Sequence, residues 1–214
     1  MTDQTKKPRR QRRTKVAVER DVFEAVESLI EEVGFANVTL TAVAQRARIE
    51  ASVFYRRYDN MEELFDEYTR KYDYWLGGLA ELMPSNLSDQ DAMKWIMSNL
   101  IRALYKNKGM QQLLVWELVD SNPVTRRTAT LREKVNETLI KLLESRFKGT
   151  DLDINVIVGV LISGIYYLIL HRKISKFCEV EYDSREGKLR LTRAIDQIVS
   201  MIFAEVGRQT GTPA

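Results

Sequence analysis

Between Thr39 and Asn60 the sequence reads TLTAVAQRARIEASVFYRRYDN. Its polar side chains are of two main kinds. Arg46, Arg48, Arg56 and Arg57 are guanidiniums, while Thr39, Thr41, Ser52 and Tyr55 carry hydroxyls. Guanidiniums and hydroxyls close together bind phosphate oxygens, which a nucleic-acid backbone presents at regular intervals. That is recognition chemistry, not bond-making chemistry. A single histidine, His171, and a single cysteine, Cys178, serve the whole chain. No nucleophile-base pair, phosphate loop or metal-ligand spacing is visible, so enzyme, cofactor and metal roles find no support. The same four arginines would also suit an ordinary solvated helix face. Tyr55 could be buried with only its hydroxyl at the surface.

These residues need rigid elements to hold them. Val18, Val22, Val26, Leu29, Ile30 and Val33 recur at helical spacing and predict a helix over about residues 16–33, ended by Gly34. Thr39 is a suitable N-cap for a second helix, with Leu40, Val43, Ala44 and Ala47 on one face. Arg48 then occupies a turn where a glycine would be expected. A short third helix over about residues 50–57 buries Phe54 or Val53 and opens with Ala51, Ser52 and Val53. Asn60, with Glu63 in a capping-box arrangement, starts a fourth helix that carries apolar residues through Trp75 to Pro84.

The second half continues in helices. One starts at Ser88 or Asp91, one spans about residues 109–119, and one begins at Asn122-Pro123 with Leu131, Val135, Leu139, Leu142 and Leu143 inward. Asp151 is the expected cap of the next, and the last covers about residues 185–206. No segment alternates with period two. The expected fold is all-α, with about nine helices.

Charge is distributed unevenly. Residues 1–20 hold eight Lys/Arg against Asp3 and Glu19, a local charge of +6, so the remainder sums to −3 within a net +3. A basic, disordered arm over residues 1–15, ending at Lys15, suggests nucleic acid or an anionic surface. No apolar core follows these basic residues, so the arm is not a signal peptide. One cysteine leaves no internal disulfide and suits a reducing cytoplasm.

Residues 16–64 resemble the DNA-binding domain of the TetR family of bacterial transcriptional regulators. The resemblance rests on Gly34-Phe35, Val38-Thr39-Leu40, Val43-Ala44, Ala47, Ile49, Phe54-Tyr55, Tyr58 and Glu62-Glu63-Leu64. It implies a three-helix DNA-binding domain, here residues 16–60, and a helical effector-binding and dimerisation domain, residues 61–214. It implies that Tyr55 hydrogen-bonds a phosphate and that Arg56 and Arg57 add charge contacts. In a helix-turn-helix the second helix of the pair meets base edges. Ser52 would then bond a base, and Ala51 and Val53 could touch a thymine methyl. Thr39 can cap a helix whose amides face a phosphate. Thr41, Arg46 and Arg48 complete the expected contacts.

Three residues depart from the family pattern. Arg48 replaces a turn glycine at a modest backbone cost and adds a cation. Glu50 replaces a small N-cap, where it either caps the third helix or accepts from a cytosine amino group. Met61 stands where the family often has a phosphate-binding lysine.

VIVGVLISGIYYLIL, residues 156–170, is a 15-residue apolar run between polar and charged flanks. A membrane span needs ~20 residues, so a core or interface helix is expected instead. The resemblance implies that this region, about residues 151–176, and the last helix pair with their symmetry mates in a homodimer reading a palindromic double-stranded operator. A small apolar or aromatic effector would meet Trp75, Trp95, Tyr105, Met110, Trp116, Tyr166 or His171, although aromatics at helical spacing are also ordinary core. The expectation is a cytoplasmic, ligand-responsive repressor. The alternative is a helical dimerisation or adaptor protein with a vestigial DNA-binding module.

Overall fold

The computed structural model describes residues 14–70 and 82–211. The basic arm as far as Arg13 and the expected ligand residue Trp75 lie outside the described residues. Nine α-helices are present among them: α1 (Lys15–Val33), α2 (Leu40–Ala47), α3 (Ala51–Phe54), α4 (Met61–Thr69), α5 (Asp89–Lys106), α6 (Lys108–Val119), α7 (Pro123–Phe147), α8 (Ile154–His171) and α9 (Arg185–Thr210). A 3-10 turn, Phe35–Asn37, joins α1 to the approach of α2. The chain divides into two compact units, Met1–Leu64 and Phe65–Ala214.

Local sequence sets most helix starts. The Thr14, Thr39 and Ser88 hydroxyls accept from the backbone N–H of Ala17, Ala42 and Asp91 at 3.2, 3.2 and 3.1 Å. Asn122 and Thr125 form a reciprocal capping box at the start of α7, with Pro123 in its first turn. Each such cap contributes ~1 kcal/mol. At α4 the Asn60 side chain accepts from Glu63 N, while the Glu63 carboxylate reaches back one residue further, to Asp59 N. The expected cap at Asp151 is corrected. Asp153 caps α8, taking the N–H groups of Asn155 and Val156, whereas the Asp151 side chain receives Gln209.

In the first unit α1 packs on α2, burying Val22, Val26 and Ile30 with Val43 and Ala47, and Phe54 and Tyr58 are buried as well. In the second, α5 is central. Its Met93, Leu100 and Leu104 are buried, and it packs against α7, α8 and α9. α7 buries Leu143 and Phe147, but Leu142 points outward, against expectation. Over a 25-residue helix a one-residue change of phase moves a leucine by about 100°, the α-helical step.

Three polar ties cross the second unit. Arg132 of α7 holds Glu117 of α6 through two hydrogen bonds of 2.6 and 2.7 Å, and Thr128 donates a third to the same carboxylate. Arg127 donates to the Asp66 carboxylate, the Asp66 carbonyl and Thr69 Oγ1 at the end of α4. Desolvation alone would raise the Asp66 carboxyl, but hydrogen bonds from Arg70 and Arg127 outweigh it and hold it below its ordinary range. Tyr105 donates to the Tyr182 carbonyl at 2.7 Å, beside Arg172, which reaches Asp183 and Gln111.

The loop between α8 and α9 contains a tight hairpin. Phe177 and Val180 exchange backbone hydrogen bonds of 3.0 and 3.1 Å, and the two residues between them, Cys178 and Glu179, both have positive φ. Two positive-φ residues match the right-handed twist of a two-residue hairpin. Just beyond it, α9 begins so close to the loop that a β-carbon at Gly187 would sit 2.0 Å from the Glu181 carbonyl oxygen. Both partners there are backbone and neither can yield. Gly187→Ala is expected to destabilise the chain by about 2 kcal/mol or more, as overpacking against fixed atoms does. Urea denaturation would show it as a lower midpoint with an unchanged slope.

Candidate nucleic-acid interface

The turn between α2 and α3 determines what α3 presents. Arg48 adopts the left-handed conformation, φ 54° and ψ 47°. Its N–H bonds the Gln45 carbonyl, and Ile49 N–H bonds Ala44 at 2.9 Å, a Schellman closure of α2. The chain can therefore reverse within two residues while the Arg48 side chain stays in solvent. Arg48→Gly should relieve ~1 kcal/mol of backbone strain, partly offset by the entropy glycine adds to the unfolded chain. It should also remove a cation from the interface. Thermal denaturation and DNA titration of one variant would show unchanged or higher stability with weaker DNA binding.

α3 itself is shorter than the sequence reading, Ala51–Phe54, and is followed by turns through Arg57. Ala51 and Ser52 are exposed, Val53 is half-buried and Phe54 is buried. Tyr55 is 59% exposed, its ring edge-on to Phe54 at 5.7 Å. Its phenol is therefore available to a partner, and Phe54 and Tyr58 supply the core instead. Glu50 occupies the N-cap backbone position of α3, but its side chain caps nothing. The carboxylate is exposed.

The arginines fall into two classes. Arg48 and Arg56 are exposed, with no ion pair to them among the described residues, and Lys15 at the start of α1 is likewise exposed. Arg46 is held internally, donating to both oxygens of Glu32 at 2.6 and 2.9 Å and to Ser28 Oγ at 2.7 Å. That donation lowers the Glu32 carboxyl and raises the Arg46 guanidinium from their ordinary values. Arg57 pairs with Glu19 at 2.8 Å and donates to Tyr58 Oη at 3.0 Å. Sequence reading grouped all four. Glu19, Ser28 and Glu32, all on α1, were missed as partners, because a pairing across 14 or more residues leaves no local pattern. Thr39 Oγ1 is engaged as a cap, and Thr41 is exposed beside it.

In the second unit the described candidate effector residues have different surroundings. Met110 is buried core. Trp116 stacks edge-on to Phe65 and donates to Asp120, Tyr105 is tied to Tyr182, and His171 stacks on Tyr167. Trp95 is half-buried. Tyr166 lines an apolar cavity, bounded by Met93, Met97 and Leu100 of α5, Leu143 of α7, and Ile162 of α8. Burial pushes the Tyr166 phenol up to about 12, so it stays neutral. The pair of methionines four residues apart on α5 was the usable sequence signal for this cavity. Among the described residues, no group of three or more His, Cys, Asp or Glu could hold a metal.

α8 has a second notable face. With 18 residues and a mean hydropathy of 2.0, it is long and apolar enough by composition to cross a membrane, yet it packs on α5 and α7. Its other side leaves Val156, Gly159, Val160, Ser163, Gly164 and Tyr167 exposed, spaced as one helical stripe. A β-carbon at Gly159 or Gly164 would meet nothing within 4 Å.

Residues 22–68 match the family described as bacterial regulatory proteins, tetR family. No curated protein matches the chain. Among solved structures, a TetR-like transcriptional regulator from Rhodococcus sp. RHA1 aligns with a TM-score of 0.65 at 16% identity, over 90% of this chain and 99% of that one. NalD of Pseudomonas aeruginosa, the secondary repressor of the MexAB-OprM multidrug efflux pump, aligns with a TM-score of 0.58 at 15% identity, over 84% and 94%. The fatty acid degradation regulator FadR from Bacillus halodurans gives 0.58 at 15%, over 88% and 96%. At these identities the likeness to solved structures is one of fold.

Proposed function

From the match of residues 22–68 to the tetR family of bacterial regulatory proteins, we propose that this chain is a dimeric DNA-binding transcriptional regulator, a repressor that a small apolar effector releases from a palindromic operator. The observation that carries the reading is the turn at Arg48. Around it Ala51, Ser52, Tyr55, Arg48 and Arg56 are all exposed, and no ion pair engages the two arginines among the described residues. Ser52 and Ala51 read base edges, Tyr55, Arg48 and Arg56 hold phosphates, and the Thr39-capped start of α2 offers its amides. Thr41, Val53 and Lys15 lie at the margin, and the basic arm follows the backbone. Arg46 and Arg57 contribute by exchanging Glu32 and Glu19 for phosphate. Glu50 accepts from a cytosine amino group.

The exposed stripe on α8 supports a dimer. Two mid-helix glycines cost the isolated helix ~1 kcal/mol each relative to alanine, and among the described residues no close approach requires either of them. A second copy approaching closely would use them, joined by α9 of each protomer, and a twofold dimer meets a palindrome half-site by half-site. The cavity beside Tyr166 receives the effector, which binds more tightly to the form that binds DNA poorly. Such a protein works in the cytoplasm, where its operator is.

Salt-dependent binding to the DNA upstream of its own gene tests this. Wild type should bind far more tightly than to random DNA. Tyr55→Phe should weaken it, and deletion of residues 1–15 should both weaken it and flatten the salt dependence. Exposed Glu50 favours the adaptor alternative, which would be adopted if operator and random DNA bind alike at every salt concentration.

A further inference from the structure

The cavity beside Tyr166 adjoins a groove on the outer face of the same helices. Asn136 and Ile140 of α7, with Val158 and Ile162 of α8, line it from within and also line a groove on the outside. That outer groove, about 450 Å³, carries Glu133, Glu137 and Glu144 against one cation, Lys141. The inner space is apolar and about 30 Å³ as it stands. Small-molecule sites span roughly 300–1,000 Å³, so the outer groove has the size and the inner cavity the chemistry for an apolar group. Met93 and Met97 wall the inner end, and unbranched thioether chains re-pack around a guest more readily than branched ones.

The fold makes little use of these carboxylates among the described residues. Among the described residues no ion pair engages Glu133, Glu137 or Glu144. Glu133 accepts one hydrogen bond, from Asn136 at 3.3 Å. Glu133 and Glu137 stand four apart on one helix face, an arrangement that costs helix stability. An apolar recess behind a negatively charged mouth discriminates three ways. It repels an organic anion, gives a neutral hydrocarbon no use for the mouth, and suits a molecule with an apolar body and a positive head. The Tyr166 ring adds a π-face at the inner end.

We infer that the effector is a lipophilic cation, its apolar body between α5, α7 and α8 and its charged head among Glu133, Glu137 and Glu144. This rests on the effector reading above and narrows it to one chemical class. The head remains near water, so the carboxylates contribute selectivity through charge and need not be fully desolvated.

Calorimetric titration of the full-length protein, without DNA, provides the test. The probes are an arylalkyl trimethylammonium and its uncharged isostere, in which a tert-butyl group replaces the ammonium head. The cation should bind about tenfold more tightly or better, and added salt should narrow the gap. In the triple variant Glu133→Gln, Glu137→Gln, Glu144→Gln, the preference should fall toward unity, with circular dichroism reporting an unchanged melt. These glutamates are exposed, so folding is not at stake. Equal or tighter binding of the neutral probe, a preference that survives in the triple variant, or binding of neither probe would overturn the inference. Operator binding by the ligand-free protein is measured separately. Its failure would remove the regulator reading whatever the probes do, and its success alongside failed probes would remove only the ligand class.

Discussion

Replacing Arg132 with alanine is expected to lower the unfolding free energy by about 3–5 kcal/mol, the range for breaking a buried ion pair by removing one partner. Arg132 and Glu117 are 13% and 12% exposed and meet through two short hydrogen bonds, with Thr128 completing the carboxylate's shell. Alanine leaves the Glu117 charge with Thr128 as its one remaining hydrogen-bond donor among the described residues, in a region that water barely enters. Glu117→Ala should cost a similar amount by the mirror argument. The double substitution Glu117→Leu, Arg132→Met tells the two contributions apart. It removes both charges and keeps volume, so most of the loss should return. The pair ties α6 to α7, and α7 forms one wall of the candidate effector site. Urea denaturation of all four proteins checks this. Single variants within about 1 kcal/mol of wild type would mean that the pair is effectively solvated, as surface pairs are.

The second large effect concerns assembly. Val160→Glu should convert the protein to a monomer and reduce operator affinity by about 10²-fold or more, the scale of the advantage that two linked half-site contacts have over one. Val160 is 66% exposed in the protomer, so the glutamate meets water there and the melting of the single chain should hardly move. In a dimer the same carboxylate would face its own symmetry copy in an apolar seam. Sedimentation velocity reads the assembly, and a titration with operator DNA reads the affinity. A variant that stays dimeric would place the interface elsewhere. A monomer with undiminished affinity would sink the two-half-site reading.

The sequence was most informative where structure is local. Thr39, Ser88 and Asn122-Pro123 each act within four residues of themselves, and each starts its helix as read. Arg48 was legible for the same reason, since a reversal between two short amphipathic helices demands a left-handed residue. Where two nearby residues could do the same task, composition could not choose, and Asp153 caps α8 where Asp151 was expected. Side-chain partners distant in the chain were hidden altogether. Nothing near Arg46 announces Glu32, and nothing near Glu117 announces Arg132. For the effector residues aromatic character records burial without saying what is buried against. Trp116 and Tyr105 are spent on Asp120 and Tyr182, while the cavity is walled chiefly by aliphatic residues and methionines.

The hairpin between α8 and α9 gives the protein an observable of its own. Cys178 is the only cysteine in the sequence, and it is exposed at a turn that two backbone hydrogen bonds close. A maleimide dye or nitroxide would attach there and nowhere else, with no substitution elsewhere in the chain. In a twofold assembly two such labels define a single distance, and a monomer gives none. Pulsed spin-resonance or energy-transfer measurements on the unmutated protein could then follow assembly, and any rearrangement of this end of the molecule when DNA or effector is added.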